Sequence, residues 1–358
     1  GSADVTLARY RFEAGSTEDV DIKAITLELG NTASNTPADL VGQKVSIWNG
    51  STKVGEAQFG LGASPDNATS TLSTSVRIPK GDTVVLTVKG SLAGHDVNSA
   101  VGAFGGVLSV NYDGNNNGLN GNYATGADSG ATISGTSGDT SANATKVYRG
   151  LLTIEDVTTT SALSAGTDLY KIKLTAAAGR DVTLHALSFN VNVVGLSAIS
   201  GFQLYGPSGA VNATGVATSS SATAGVGAQE KLRIIFDNAA VDRVIQAGTS
   251  KTYSLRADTI TSLTASNVET VSIKLLADTA EPSGVQEGGF YNATAHMSTV
   301  NQVNNSASTT DRFVWSPNST TTLTAAVASN SATDWTNGYG LPGYPSVGQD
   351  MSTRVFTH

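Results

Sequence analysis

The sequence predicts an all-β protein made of two tandem immunoglobulin-like β-sandwich domains, followed by a mostly irregular C-terminal tail. Short runs of alternating apolar and polar residues recur between stretches rich in turn-forming residues, and helical periodicity is nearly absent. The same series of runs also occurs twice along the chain. A length of 358 residues fits about two domains of this kind.

The predicted strands follow from period-two alternation. Residues 20–29, 83–88 and 182–189 each place mostly apolar side chains on one parity and mostly polar side chains on the other. A sheet with one covered face needs this pattern, because a shift by one residue would turn the whole apolar set toward water. These runs therefore predict strands that bury one face in a sandwich core.

An internal repeat defines the two copies. Residues 7–14 align without gaps on residues 169–176, which lie 162 positions later, and the match continues from residues 19–29 onto 181–191. Small changes in this offset place the insertions in the predicted turns. Three further matches extend the repeat: 45–48 on 202–205, 78–83 on 245–250, and 86–89 on 253–256.

The repeat sets the predicted domain boundaries. We place the first sandwich at residues 1–145, the second at 146–312 and the tail at 313–358. Residues 112–145 are rich in Gly, Asn and Ser, which predicts either a long loop or the linker between the copies. The tail carries aromatic residues among Gly and Pro, and their apolar groups need a surface to cover.

The two copies differ in one predicted strand. Residues 151–157 form a strand-like run ahead of Leu169, and the first copy has no counterpart before Leu7. A sandwich that lacks an edge strand leaves unpaired backbone groups and an uncovered apolar stripe. Another chain, or the tail of this chain, would fill such a gap by adding a strand. The alternatives are that residues 151–157 are linker and the first copy is complete, or that an upstream part was removed.

Composition excludes several classes of function. The net charge is −8 with few Lys and Arg, which leaves no electrostatic footprint for nucleic acid. The sequence contains no run of about 18 apolar residues, so it does not predict membrane insertion. The chain has no Cys, its four His residues are scattered, and neither a Gly-x-Ser-x-Gly elbow nor a phosphate-binding loop occurs. We therefore expect no catalytic residues and a protein that is not an enzyme.

Two motifs allow more than one interpretation. Asp113, Asn115 and Asn117 match the first half of a calcium loop, but Ala124 stands where a bidentate Glu is required. This makes a weak calcium site the only candidate cofactor site, and the alternative is an ordinary Asn-Gly turn. Trp48 and Tyr205 occupy the same place in both copies, where core packing explains them better than a sugar-binding platform.

The chain resembles the large secreted surface proteins of Patescibacteria, which are S-layer-like or filament-like and carry immunoglobulin-type repeats. The resemblance covers most of the chain. It is carried by the two repeats together with residues 313–317 and 333–339. Its most specific elements are the pattern Ala-x-x-x-x-Asp-Val at 14–20 and 176–182 and the run Asp-Trp-Thr-Asn-Gly-Tyr at 334–339. The resemblance implies an extracellular location at the cell surface and supplies no catalytic residue.

These observations together predict a structural, self-assembling subunit of an extracellular polymer, either a lattice or a filament. The expected partners are further copies of the same chain, joined by strand donation and by docking of the tail. Because aromatic residues dominate interface energetics, we expect the tail to supply the subunit contacts through Trp335, Tyr339, Tyr344, Val355 and Phe356. The alternatives are an adhesin or glycan-binding module, with surface glycans or a host cell surface as partner, and an accessory region of an extracellular hydrolase.

Overall fold

A computed structural model confirms the all-β prediction. The described residues contain no α-helix and only two 3₁₀ helices, Pro37–Asp39 and Val241–Arg243. No helix in this part of the chain is long and apolar enough to cross a membrane. The described residues up to 147 form unit 1 and those from 148 onward form unit 2. The structure describes residues 2–30, 37–61, 66–93, 107–135, 138–148, 150–159, 163–211, 217–218, 228–236, 240–262, 268–279, 312–318 and 336–357.

Unit 1 is built from the strands β1 to β11. Their bounds are β1 Val5–Glu13, β2 Val20–Leu29, β3 Leu40–Asn49, β4 Thr52–Gln58, β5 Asn67–Ile78, β6 Thr83–Leu92, β7 Val107–Leu108, β8 Val110–Tyr112, β9 Tyr123–Gly126, β10 Thr132–Ile133 and β11 Thr145–Lys146.

Two sheets enclose the core of unit 1. The first has the strand order β1-β6-β3-β4, and the second has the order β10-β9-β2-β5 with β8 also paired to β2. The pairs β2–β5 in one sheet and β3–β6 in the other are the pattern of an immunoglobulin-like sandwich. The alternating apolar residues of β2, β3 and β6 meet between the sheets, where Leu27, Ile47 and Leu86 are buried.

Unit 2 is built from the strands β12 to β24. Their bounds are β12 Leu152–Asp156, β13 Tyr170–Ala176, β14 Val182–Val194, β15 Leu196–Gly206, β16 Gly209–Ala210, β17 Ala217–Thr218, β18 Ala228–Ile235, β19 Val244–Ile245, β20 Ser250–Ser262, β21 Thr270–Leu275, β22 Phe313–Ser316, β23 Thr336–Asn337 and β24 Arg354–Thr357.

Unit 2 repeats the two-sheet plan with additional strands. One sheet has the order β12-β13-β20-β15-β16 and the other the order β17-β18-β14-β21-β24. Strands β19 and β22 also pair with β14, and β23 pairs with β22. The core contains large, fully buried aromatic residues, among them Tyr170, Phe189, Tyr253 and Trp315.

The predicted repeat is visible in the backbone contacts. In unit 1 the amide of Gly81 donates to the carbonyl of Ala14 at 3.2 Å, and in unit 2 the amide of Gly248 donates to the carbonyl of Ala176 at 3.1 Å. Both glycines have a φ of 72°, a conformation that favours glycine. The shift of 162 residues thus makes β1 equivalent to β13 and β2 equivalent to β14.

Two stretches differ from their sequence interpretation. Residues 112–145 do not form a simple linker, because β9 pairs with β2 and with β10 inside unit 1. The predicted tail at 313–358 contributes β22, β23 and β24 to the larger sheet of unit 2. Strand β22 is the counterpart of β9, since each pairs with the first half of its own β2 or β14. These strands are short, and the residues with which they pair lie far away in sequence.

Candidate assembly site

The candidate site lies along β1, which is an edge strand of unit 1. Within the described residues, β1 pairs with β6 on one side and with no strand on the other. Its inward side chains Ala8 and Tyr10 are buried, Phe12 is half-buried, and the outward Arg9 and Arg11 are exposed. Tyr10 is fixed by its hydroxyl, which donates to the carbonyl of Val110 at 2.6 Å. An edge strand of this kind offers a row of backbone groups for pairing with another strand.

The alternation of β1 shows which backbone groups face the open edge. The amide of Ala14 donates to the carbonyl of Asp82, at the start of β6, at 3.1 Å. In an antiparallel pair, successive residues point their N–H and C=O groups to opposite sides. The groups of Arg9, Arg11 and Glu13 therefore point away from β6, toward the unpaired side.

A cavity of about 570 Å³ opens next to the end of β1. Apolar side chains from both sheets line it, including Phe12, Val20, Ile22, Ile78 and Tyr112. This size lies within the range of roughly 300–1,000 Å³ found for sites that bury a ligand. The cavity thus extends from the open strand edge toward the core of unit 1.

The mouth of the cavity also carries a fixed carboxylate. Glu18 accepts hydrogen bonds from the amides of Asp128 and Ser129, both at 2.9 Å, and from the Ser129 hydroxyl at 2.7 Å. The Ser129 hydroxyl and these amides lower the pKa of Glu18. Glu18 is therefore ionised at neutral pH and holds the β9–β10 turn beside the cavity.

In unit 2 the equivalent edge is closed by β12. This strand pairs antiparallel with β13 over five residues, from Leu152 opposite Ala176 to Asp156 opposite Ile172. The inward side chains Leu152 and Ile154 are 0% and 2% exposed. The two units thus have the same edge, but β12 covers it in unit 2 only.

A second difference concerns one side chain of the sheet opposite. Ile22 in β2 pairs with Ala124, and its equivalent Leu184 in β14 pairs with Trp315. Trp315 is fully buried, and its indole nitrogen donates to the carbonyl of Asn337 at 2.9 Å. Unit 1 therefore has a methyl group, lining the cavity, where unit 2 places an indole ring.

The charges along the two edges also differ. In unit 2, Lys173 pairs with Glu155 of β12 at 3.3 Å, and Lys171 pairs with Asp168 at 2.8 Å. The equivalent residues of β1, Arg11 and Arg9, have no ion-pair partner within the described part of the chain. The open edge of unit 1 thus carries two exposed guanidinium groups on a chain of net charge −8.

Asp168 shows the electrostatic effect of this pairing in unit 2. Its burial raises the pKa of the carboxyl, but hydrogen bonds from Lys171 and Arg256 outweigh burial, so the pKa is lowered. The Asp168 carboxylate is accordingly ionised at neutral pH.

The predicted calcium residues form a hydrogen-bonded loop. Asp113 accepts from the Asn67 amide at 2.8 Å and from the backbone of Asn116 at 3.2 Å, and it is buried. Asn115 donates to Asp139 through its backbone and side chain, and Asn117 donates to the carbonyl of Gly114 at 2.6 Å.

Further negative charge lies near this loop. Burial raises the pKa of Glu28, and the neighbouring charges of Asp139 and Asp113 raise it as well. The described residues contain no group of three or more His, Asp or Glu side chains arranged to hold a metal ion. The contacts are those of the turn interpretation, and calcium binding stays a prediction.

The predicted interface residues of the tail lie in unit 2. Phe356 is 1% exposed and belongs to its core, Tyr339 and Tyr344 are half-buried, and Val355 is 60% exposed. Trp335 lies outside the described residues. The Tyr344 hydroxyl donates to the carbonyl of Leu276 at 3.0 Å, and burial raises its pKa well above the ordinary value. The role of these residues in subunit contacts stays a prediction, and Val355 is the most exposed of the four predicted interface residues that the structure describes.

The tail also covers β12. The amide of Ile154 donates to the carbonyl of Pro342 at 2.9 Å. Gly343 has a φ of 108°, and a Cβ atom there would lie 1.8 Å from the carbonyl oxygen of Ile154. Only glycine permits this close approach, so the contact depends on residue 343.

Trp48 and Tyr205 differ from the predicted core packing. Both are half-buried and lie on the outer face of their sheets, with Lys89 and Arg256 each 4.6 Å from the ring centroid. Trp48 follows the inward-facing Ile47, so it has the outward parity. His185 alternates with apolar neighbours in the sequence, which predicts a sheet-surface side chain, but the structure buries it.

The cavity could not be anticipated from the sequence. The cavity depends on Ala124 standing opposite Ile22, and this pairing joins residues about one hundred positions apart. The sequence signal for the cavity is that the first copy has Ala124 where the second copy has Trp315. Recognising it requires an alignment of β22 with β9.

Comparisons with known proteins give no identification. No protein-family model matches the chain, and no curated protein does. A solved structure of the Streptococcus agalactiae AgI/II polypeptide BspA C-terminal domain is 8% identical with a TM-score of 0.20, covering 76% of this chain and 90% of that one. The B domain of a biofilm-associated protein is 8% identical with a TM-score of 0.16, covering 77% and 83%.

A putative membrane-anchored protein from Corynebacterium diphtheriae is 10% identical with a TM-score of 0.14, covering 75% of this chain and 81% of that one. Scores this low carry no argument about fold or function. The assignment of the fold therefore depends on the strands and their pairing.

Proposed function

We propose that the chain is a non-enzymatic, self-assembling structural subunit of an extracellular cell-surface polymer. The observation that carries this proposal is the open edge of β1 beside an apolar cavity, at the place that unit 2 closes with β12. An exposed edge with an apolar groove favours pairing with another chain.

The asymmetry between the units suits a polymer. An interface between two different surfaces of the same chain is heterologous, and it extends into a filament or lattice when the rotation does not close. A stable contact would bury about 1,200–2,000 Å² in total, of which a strand along β1 would supply a part. The described tail is docked on unit 2, so the proposal assigns the central contact to the β1 edge.

The extracellular location is supported by composition and by the resemblance to secreted surface proteins. The chain has 14% charged residues, no Cys, and abundant Gly, Ser, Thr and Asn. Such a surface is kept hydrated by hydroxyl and amide groups, a profile that is commoner outside cells than inside.

Sedimentation velocity over a range of concentrations, combined with electron microscopy, tests this function. We expect species larger than the 36.4 kDa chain to grow with concentration and to appear as ordered filaments or sheets. A chain that sediments as a monomer at the highest concentration and shows no ordered assembly would overturn the proposal.

A second candidate is a glycan-binding surface module, favoured by the outward aromatic rings of Trp48 and Tyr205. Aromatic rings offer a flat apolar surface for a sugar, but here a cation lies over each ring. A glycan array with the full chain and with Trp48→Ala separates the two: binding that disappears in the variant supports the glycan function.

A further inference from the structure

We propose that the open edge of unit 1 binds an extended strand of a neighbouring chain that has the chemistry of β12: alternating branched apolar side chains followed by carboxylates. The strand lies antiparallel to β1 and directs its apolar side chains into the cavity. This inference rests on the proposed function in one respect: the strand comes from a neighbouring subunit of the assembly.

The register follows from the equivalence of the two units. In unit 2, Leu152 lies opposite Ala176, Ile154 opposite Leu174, and Glu155 opposite Lys173. Subtracting the shift of 162 residues places the corresponding positions of the bound strand opposite Ala14, Phe12 and Arg11. Two apolar positions then face the core, and a carboxylate lies beside a guanidinium.

Backbone groups are in place for this pairing. In unit 2, the amide of Ala177 donates to the carbonyl of Leu151 at 2.8 Å, and the amide of Val157 donates to the carbonyl of Lys171 at 2.9 Å. Their equivalents in unit 1 are the amide of Gly15, whose own carbonyl accepts from the amide of Gly81 at 3.0 Å, and the carbonyl of Arg9. A bound strand would therefore extend the sheet β1-β6-β3-β4 by the same ladder.

The cavity explains why the strand needs bulky apolar side chains. Phe12 is half-buried, whereas its equivalent Leu174 is completely buried beneath β12. Ala124 leaves the space that Trp315 occupies in unit 2, so the groove in unit 1 is deeper than a bare strand edge. Leu and Ile side chains would enter this space and remove Phe12 from water.

Charge complementarity favours the acidic end of such a strand. Glu155 of β12 pairs with Lys173 in unit 2, and the equivalent Arg11 has no such partner. Arg9 lies two residues earlier on the same side of β1, opposite the position of Val157, whereas Asp156 has the inward parity and pairs with Arg354 in unit 2. A guanidinium binds a carboxylate through two hydrogen bonds, so Arg suits an intermolecular contact better than Lys.

A disulfide trapping experiment tests the register in the full chain. The chain has no Cys, so Glu13→Cys provides a single thiol on the outward side of β1. Its equivalent Thr175 lies opposite Thr153 in unit 2. The probe is a synthetic peptide with the sequence of residues 150–158, carrying Cys in place of Thr153.

We expect this peptide to form a mixed disulfide with the Glu13→Cys chain at least 10-fold faster than a scrambled peptide of equal composition. Val85→Cys is the matched control, because its side chain is exposed but its strand β6 lies inside the sheet. If Glu13→Cys does not fold, Arg11→Cys with a peptide carrying Cys in place of Glu155 tests the same register.

The outcomes are distinct. Equal rates for the matching and scrambled peptides would overturn the strand proposal, even if the chain forms filaments. Selective trapping by a chain that stays monomeric at all concentrations would support the strand site and overturn self-assembly. A matching peptide in which Glu155 is replaced by Lys should lose most of its rate advantage, and an unchanged rate would contradict the role of Arg11.

Discussion

One side chain determines whether the space between the sheets, next to the edge strand, is filled in each sandwich. Trp315 is completely buried in unit 2 and contacts Tyr148, with ring centroids 5.5 Å apart, while Ala124 occupies the equivalent place in unit 1. The same fold thus tolerates a cavity in one copy and an indole ring in the other.

Replacing Trp315 with Ala should lower the free energy of unfolding of unit 2 by about 3–5 kcal/mol, because it leaves a cavity and removes the hydrogen bond from the indole to the carbonyl of Asn337. Trp48→Ala is the matched control, since this ring is half-buried on the outer face and should cost far less. Urea denaturation measures both. Equal losses would show that the burial of Trp315 is unimportant.

His185 predicts a pH dependence. Burial, with the charges of Arg233 and Arg243, lowers its pKa to about 3. In the unfolded chain the imidazole takes up a proton near pH 6.5, so the unfolded state binds more protons between these values. Stability should therefore fall as pH decreases from about 6.5 toward 3, by up to about 1.4 kcal/mol per pH unit from this residue.

The unfolding free energy of the wild type and of His185→Phe, measured from pH 7 to pH 4, isolates this contribution from the carboxylates. We expect the difference between the two proteins to change with pH in favour of the variant at low pH. A difference that is constant over this range would show that His185 does not titrate as described.

At the level of elements, the C-terminal strands complete unit 2. Asp278 accepts backbone hydrogen bonds from Arg312, Phe313 and Gly338, and Arg354 of β24 donates to Asp156 of β12 at 2.8 Å. These contacts fix the tail to the strands on either side of it. Removing residues 334–358 would take away core side chains, so truncation is a poor test of assembly.

A glycine pair tests the docking of the tail. Gly343→Ala should detach the segment from β12, because the added Cβ would overlap the carbonyl of Ile154. Gly340→Ala is the matched control: it has a similar positive φ of 73° but open space around it, so it carries only the conformational strain of about 1 kcal/mol. Limited proteolysis should cleave the C-terminal segment faster in Gly343→Ala alone. Equal cleavage of both variants would contradict this contact.

The sequence predicted the elements whose pattern is local. Alternation identified β2, β6 and β14, and the comparison of the two copies singled out residues 151–157, where the structure has β12. The sequence did not predict the positions of β9 and β22, because strands of four residues carry little periodic signal and their partner strands are distant along the chain. Trp48 was misjudged for a different reason: it alternates with the inward-facing Ile47 and so has the outward parity, and the core interpretation did not follow this alternation.

For the whole molecule, the proposed assembly depends on one unit being closed while the other keeps an open edge within the described residues. This asymmetry is seen in the pairing of both sheets. Neither the net charge nor the composition indicates that Arg9 and Arg11 lie together on an unpaired strand. The central claim is therefore about the backbone of β1, and a substitution that blocks backbone pairing addresses it directly.

The most direct test compares the wild type, Arg11→Pro and Arg11→Gln by electron microscopy at equal concentration. The N–H of Arg11 faces the open side, so proline should preserve the pairing with β6 but block a further strand. We predict ordered assemblies of the wild type, weaker assembly of Arg11→Gln, which loses only the charge, and none of Arg11→Pro. Arg11→Pro assemblies indistinguishable from those of the wild type would contradict assembly through the β1 edge.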